Sequence, residues 1–398
     1  MTTPSPRARA LSRSRLRALR ACGAALAVVL GMNAPLSNAS ALQLARTASR
    51  QVAAGKGSPL DEVSCTSATY CLAVASVSDP AAIYASSDLG ATWHELSTIK
   101  GLATNDSLAP RLSCAGPHCV LVHDTSIYYS TDRGASWAEA LPPAPAQYFG
   151  DVVCRASGLC VAVGNSKPLY SDDGGQNWQF AKTTWPYTDD ELVSVSCPSS
   201  ASCLAVGWTS KLLGAYSTNG GATWSKAVSM PKLIRHGLFY KIACATGRDC
   251  IAVATSDTPT SSDHFDGGFM GYMGLSYTAD GGRTWSGGGW PSGVPQLESN
   301  SQPDSATEFT GVSCPTAKRC VAVASNITYN NLPTSGFAYH SADGGHTWSG
   351  AQALGAPAFG TLSCPSALKC VATSEAAPYY SKDGGASWAP GSPSRVPG

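Results

Sequence analysis

Short apolar runs recur along the chain, each bounded by turn residues. Leu72-Ala-Val, Val120-Leu-Val, Val161-Ala-Val, Leu204-Ala-Val, Ile251-Ala-Val, Val321-Ala-Val and Val371-Ala-Thr all directly follow a cysteine. Runs this short, rich in β-branched residues and flanked by Gly, Pro, Ser and Asp, predict buried strands. The copy between Glu308 and Gly350 shows the full unit. Residues 309–314 form one strand, 315–319 turn, 320–324 return, 336–340 make a third strand, and a fourth starts at Thr347-Trp348-Ser349. One such sheet of about 40 residues cannot bury both faces alone, whereas several packed radially can.

A second repeated pattern marks the turn before each fourth strand. Residues 341–348 read Ser-Ala-Asp-Gly-Gly-His-Thr-Trp, and seven variants occur, centred on Asp88, Asp132, Asp173, Asn219, Asp280, Asp343 and Asp383. The Asp side chain accepts N–H bonds inside its own turn, the Gly permits positive φ, and the Trp anchors the next strand. Seven copies predict an all-β, seven-bladed β-propeller with four antiparallel strands per blade, spanning residues 58–393. The chain begins with the first strand of blade one and stops after the fourth strand of blade seven. No spare strand is left to close the ring, so blades one and seven either simply pack or take an edge from residues 42–57.

The first 41 residues stand apart. Six arginines up to Arg20 precede an apolar run over 21–32 and the small-residue site Ala39-Ser40-Ala41, the order of a secretory signal peptide. Residues 42–57 read as a lead-in and 394–398 as a C-terminal tail. Removing six arginines takes the formal charge from +1 to −5. A mildly acidic product is a poor partner for nucleic acid, and no later segment is apolar enough to span a membrane. A secreted, extracellular monomer is expected.

The cysteines agree with export. Cys22 leaves with the signal, and the other 14 fall into close pairs: Cys65 with Cys71, Cys114 with Cys119, Cys154 with Cys160, Cys197 with Cys203, Cys244 with Cys250, Cys314 with Cys320 and Cys364 with Cys370. Each pair lies within one repeat, so local disulfides are the economical connectivity. Without a Cys-x-x-Cys or a clustered His partner, zinc has no ligand set; no metal and no cofactor is expected.

The eight-residue turn resembles the Asp-box (BNR) repeat of sialidases and of bacterial propellers related to the photosystem II assembly factor. The added cysteine hairpin resembles a secreted bacterial subset. The sialidase resemblance implies an arginine triad, a Tyr/Glu nucleophile pair and an acidic acid/base on the face away from the boxes. That triad is hard to assemble here. Arg133 and Arg283 lie in boxes, and Arg155, Arg248 and Arg319 in cysteine hairpins. Arg111 and Arg235 would need Lys232 or Lys241, and only Tyr187, Tyr272, Glu191 and Glu308 offer themselves as partners. No Gly-x-Ser-x-Gly elbow, His-Glu-x-x-His or phosphate loop occurs.

Hairpin geometry puts the cysteine turns and the boxes on one face. Length variation falls on the other, at 185–191, 235–236, 255–273, 287–306 and 326–335. Long insertions on a rigid scaffold are where binding concentrates. The candidate ligand-binding residues there are Trp185, Tyr187, Arg235, His236, His264, Asp266, Tyr272 and Trp290. The expected function is a binding or scaffold module for a protein or an extracellular glycan. The resemblances imply two alternatives, a divergent exo-sialidase-like glycoside hydrolase and an assembly factor for an extracytoplasmic complex.

Overall fold

The computed structural model describes residues 60–393 except 77–78, 103–108, 144–147, 186–189, 209–211, 229–236, 258–270, 290, 295–304, 329–332, 355–358 and 375–376. The expected signal, lead-in and tail lie outside these residues. The described residues hold no helix, and so none long and apolar enough to cross a membrane.

Seven antiparallel sheets follow one another along the chain, each built from four consecutive strands. Their innermost strands, Glu62–Cys65, Arg111–Ala115, Phe149–Cys154, Glu191–Ser196, Gly237–Cys244, Ser305–Ser313 and Phe359–Ser363, contact one another in cyclic order. The last returns to the first, so the ring is closed: a seven-bladed β-propeller. Three of the apolar second strands, Cys71–Ala75, Cys160–Gly164 and Cys370–Ser374, are buried end to end. A strand covered on both faces needs no polar alternation, and its alanines let neighbouring blades approach.

The core lies between blades. Leu72 and Ile83 of blade one pack with Leu112 and Leu121 of blade two. Leu275 of blade five packs with Phe309 and Trp348 of blade six. The Gly two residues after the Asp or Asn of each box abuts the aliphatic residue that follows the second cysteine of the preceding blade. Gly134 sits at φ +85°, and a Cβ there would lie 2.6 Å from Leu72 Cδ1. Turn geometry and close blade packing both demand glycine at that position.

All seven disulfides form within their hairpins, with the expected connectivity. Cys65 is bonded to Cys71, Cys114 to Cys119, Cys154 to Cys160, Cys197 to Cys203, Cys244 to Cys250, Cys314 to Cys320 and Cys364 to Cys370. Their Cα–Cα distances are 3.9–4.1 Å. In blade two, Cys119 pairs directly across the ladder with Cys114, and Cys65↔Cys71 and Cys244↔Cys250 do the same in blades one and five. In blade four, Cys203 opens the second strand Cys203–Trp208, and Cys197 follows directly on the inner strand Glu191–Ser196. In every blade a box N–H donates to a carbonyl of the same blade's cysteine hairpin, from Leu89 N to Thr69 O through Gly384 N to Leu368 O, at 2.8–3.1 Å. Boxes and disulfide turns therefore share one face.

Of the two expected closures, an edge from residues 42–57 lies outside the described residues, and blades one and seven do more than simply pack. Ser392–Pro393 adds a fifth, parallel strand to blade one, pairing with Thr92 and Trp93. Ser392 N donates to Ala91 O at 2.9 Å. The same clasp joins earlier blades: Lys182–Thr183 pairs in parallel with Thr223 and Trp224, and Lys182 N and Val228 N donate to Ala222 O and Arg283 O. The accepting carbonyl occupies the same box position in all three. Two residues beyond the last blade strand suffice for this clasp, too few to register as a strand in the sequence.

Strand ends also differ from expectation in blades five and six. Cys320–Thr328 and Pro333–Ser341 extend through most of 326–335, leaving only 329–332 outside the two strands. Cys250–Asp257 and Gly271–Thr278 likewise extend into 255–273. The inserted residues lengthen hairpin strands rather than forming loops throughout, because alternate residues continue the ladder register.

Candidate functional site

Each box is a closed hydrogen-bond unit. In blade six, Ser341 Oγ donates to Asp343 Oδ1 at 2.8 Å, and Gly345 N donates to Ser341 Oγ at 2.8 Å. Thr347 donates its N–H to Asp343 Oδ1 at 2.9 Å and its hydroxyl to Oδ2 at 2.6 Å. Burial disfavours the Asp343 carboxylate, but the Thr347 and Ser341 bonds and the nearby His346 outweigh it and hold the group at about 2. Asp88, Asp132, Asp173, Asp280 and Asp383 are lowered by the same arrangement of hydrogen bonds against a burial cost. Asn219 does the same work uncharged, accepting from Thr223 N and Oγ1 at 2.9 and 3.1 Å. These side chains are committed to their own turns.

The other chemistry lies at the ring's axis, on the inner strands. The residue three before the first cysteine of each blade is Glu62, Arg111, Asp151, Ser194, Lys241, Gly311 or Thr361. Inner strands are sheet edges, and their outward N–H groups need partners. The preceding blade supplies them. Val63 N donates to Thr361 Oγ1 at 3.1 Å, Val195 N to Asp151 Oδ2 at 3.1 Å, and Ile242 N to Ser194 Oγ at 3.3 Å. A second tier runs nearer the disulfides, where Cys65 N, Cys114 N, Cys154 N and Cys244 N donate to Ser363, Ser64, Ser113 and Ser196.

Charge enters this ring at four places. Arg111 Nη1 meets Glu62 Oε2 at 3.0 Å, with the side chains 22% and 10% exposed, and Arg111 Nε donates to Gly150 O at 3.3 Å. Ser194 Oγ donates to Asp151 Oδ2 at 2.7 Å. Burial pushes the Glu62 carboxyl up, against the downward pull of Lys241 and Arg111. Burial opposes the Arg111 charge, but Glu62 and Asp151 raise its pKa. Two carboxylates and two cations thus share the axis. Arg111 is paired with a protein carboxylate, and Lys241 acts electrostatically on the same Glu62; Arg235 and Lys232 lie outside the described residues. Register shifts just before Ser194 and Lys241 mark bulges that re-aim these side chains.

Among the peripheral candidates, Trp185 is described in full. Its indole N–H donates to Asp190 Oδ2 at 2.6 Å, and Lys226 Nζ meets the same oxygen at 2.9 Å while lying 5.4 Å from the Trp185 ring centroid. Asp190 is 8% exposed. Trp185 thereby packs against blade four, and the Asp190 carboxylate is buried with these partners. Tyr272 lies in the strand Gly271–Thr278, opposite Ser256. Tyr187, Arg235, His236, His264, Asp266 and Trp290 fall outside the described residues. Among the described residues, no three His, Cys, Asp or Glu side chains are grouped to hold a metal ion.

Peripheral loop length does not reveal the axial ring. Its signal is positional: a polar residue three before the first cysteine in six of the seven blades, with Gly311 in the other.

The BNR/Asp-box repeat is matched at residues 169–180 and 215–226, the boxes of blades three and four. No curated protein matches the chain in sequence. Among solved structures, YCF48 bound to D1 peptide is similar at 15% identity and a TM-score of 0.52, covering 83% of this chain and 93% of that one. U3-55K is similar at 11% identity and a TM-score of 0.52, covering 80% and 89%. The WD40 propeller domain of Doa1 is similar at 10% identity and a TM-score of 0.50, covering 83% and 96%. At these identities the likeness is one of fold.

Proposed function

We propose that this propeller of BNR/Asp-box repeats is a secreted binding or scaffold module, whose partner is a protein segment met at the face opposite the boxes. One observation carries the reading. All seven box side chains and seven cysteine hairpins are bonded internally in one repeated pattern, which leaves variation to the opposite end. There the strands Cys250–Asp257 and Gly271–Thr278 lead into 258–270. Loops on a rigid ring are suited to recognition, and seven disulfides suit an extracellular setting. YCF48, a propeller of similar fold, holds a D1 peptide, which supports a peptide partner over a glycan.

The test is selection of ligands from a random peptide library and a glycan array with the full chain, followed by replacement of 258–270 with an Asn-Gly turn joining the paired Asp257 and Gly271. The reading expects peptide ligands whose binding is lost in the folded loop variant. Selection of glycans alone, or binding that survives the replacement, overturns it.

A further inference from the structure

The box face carries an uneven distribution of charge. In blades five to seven, cysteine hairpins and boxes together hold Arg248, Arg283, Lys318, Arg319, Lys369 and Lys382. All are exposed except the half-buried Lys369. Four carboxylates, Asp249, Asp280, Asp343 and Asp383, share those turns, whereas in blades one to four the same two kinds of turn hold two cations, Arg133 and Arg155, against the four carboxylates Asp88, Asp132, Asp172 and Asp173. A chain acidic over its propeller therefore turns one basic sector outward.

The sector is continuous and preset. Gly281 N, Gly344 N and Gly384 N bond to the hairpin carbonyls of Arg248, Lys318 and Leu368, which ties each hairpin to its box. Arg319 Nη1 lies 3.2 Å from where a Cβ on Gly384 would stand, so the blade-six hairpin reaches the blade-seven box. Main-chain acceptors orient two guanidinium groups: Arg248 Nε donates to Ala279 O at 3.2 Å and Arg283 Nη1 to Asp280 O at 2.7 Å. Lys382 Nζ stands 5.3 Å over the Tyr380 ring. Among the described residues none of the six is held in an ion pair. Of the four carboxylates nearby, Asp280, Asp343 and Asp383 turn inward onto their own Thr and Ser groups, and Asp249 accepts from Thr246 Oγ1 at 2.8 Å within its own hairpin.

We propose that this sector binds an anionic polysaccharide, independently of any partner on the opposite face. Cations set out blade by blade match a polymer whose charges repeat along its length, and fixed guanidinium groups suit sulfate or carboxylate. An acidic protein would call for apolar or aromatic anchors. The one exposed large apolar side chain among the sector's described residues is Leu368.

The experiment measures binding of the full chain to fluorescent heparin, polygalacturonate, neutral dextran and poly-glutamate, at low and high salt. Binding to either anionic glycan, weakening as salt rises, is expected, and the tighter of the two identifies the preferred anion. The triple variant K318E/R319E/K382E should bind about tenfold or more weakly with an unchanged unfolding midpoint, because these side chains hold no ion pair. An R248E/R283E variant should weaken binding as well. The proposal is overturned if the triple variant binds like the parent, if dextran or poly-glutamate binds as tightly as the anionic glycans, or if nothing binds at low salt.

Discussion

The Tyr277 hydroxyl donates to the Gly345 carbonyl at 2.8 Å, occupying the oxygen that in the other six boxes accepts the tryptophan indole. Those six indole bonds measure 2.8–3.2 Å. Trp348 Nε1 is buried and finds no partner among the described residues. Tyr277 belongs to blade five and also stacks on His346 of blade six, with ring centroids 4.4 Å apart. One inter-blade bond has thus replaced one bond internal to the box.

Trp348→Phe should therefore cost less than Trp224→Phe. Both lose similar apolar area, but Trp224→Phe also strands the Gly221 carbonyl that its indole reaches at 2.8 Å. The difference should be about 1 kcal/mol, read from paired denaturant unfolding curves.

The same pair of blades sets the response to pH. Burial, with Asp343 adding to it, raises the Tyr277 phenol to about 12. A raised pKa in the folded chain means a stabilising contribution that is complete below about 10, the ordinary phenol range, and lost as pH rises through about 12. Asp343, held at about 2, contributes fully above its ordinary 3.8 and loses that contribution as pH falls through about 2. Unfolding midpoints measured across pH should fall at both ends. Asp343→Ala should lower stability at neutral pH by about 1 kcal/mol and flatten the acid limb.

Much of this architecture was legible in the sequence. Seven cysteine pairs and seven boxes counted the blades, and Gly134, required by both its φ and Leu72, shows why the spacing is so regular. The axial Glu62–Arg111 pair was not legible, since 49 residues separate partners that only ring closure brings together. Nor does a sequence show that the Trp185 indole bonds to Asp190, which Lys226 also meets.

Ring closure can be tested at Gly391. A Cβ there would lie 2.1 Å from Gly90 O, beside the bond from Ser392 N to Ala91 O. Gly391→Ala should unseat Ser392–Pro393 and cost about 1–3 kcal/mol. Amide exchange at Ser392 should accelerate to that of a solvent-exposed residue; retained protection would contradict the clasp.

The axial ion pair should behave as a coupled unit. Glu62→Gln removes the negative charge that Arg111 meets at 3.0 Å and should cost about 1–3 kcal/mol. The double change Glu62→Gln/Arg111→Gln should cost less than the two single changes summed, by about 1 kcal/mol, in a double-mutant cycle of unfolding free energies.

The division of the ring into a structural face and a recognition face is tested most directly by one binding comparison. A peptide ligand selected by the full chain is titrated into two folded variants, Asp343→Ala and the Asn-Gly replacement of 258–270. The box variant should bind with unchanged affinity despite its lower stability, and the loop variant should not bind. Affinity lost in the box variant and kept in the loop variant would contradict the account.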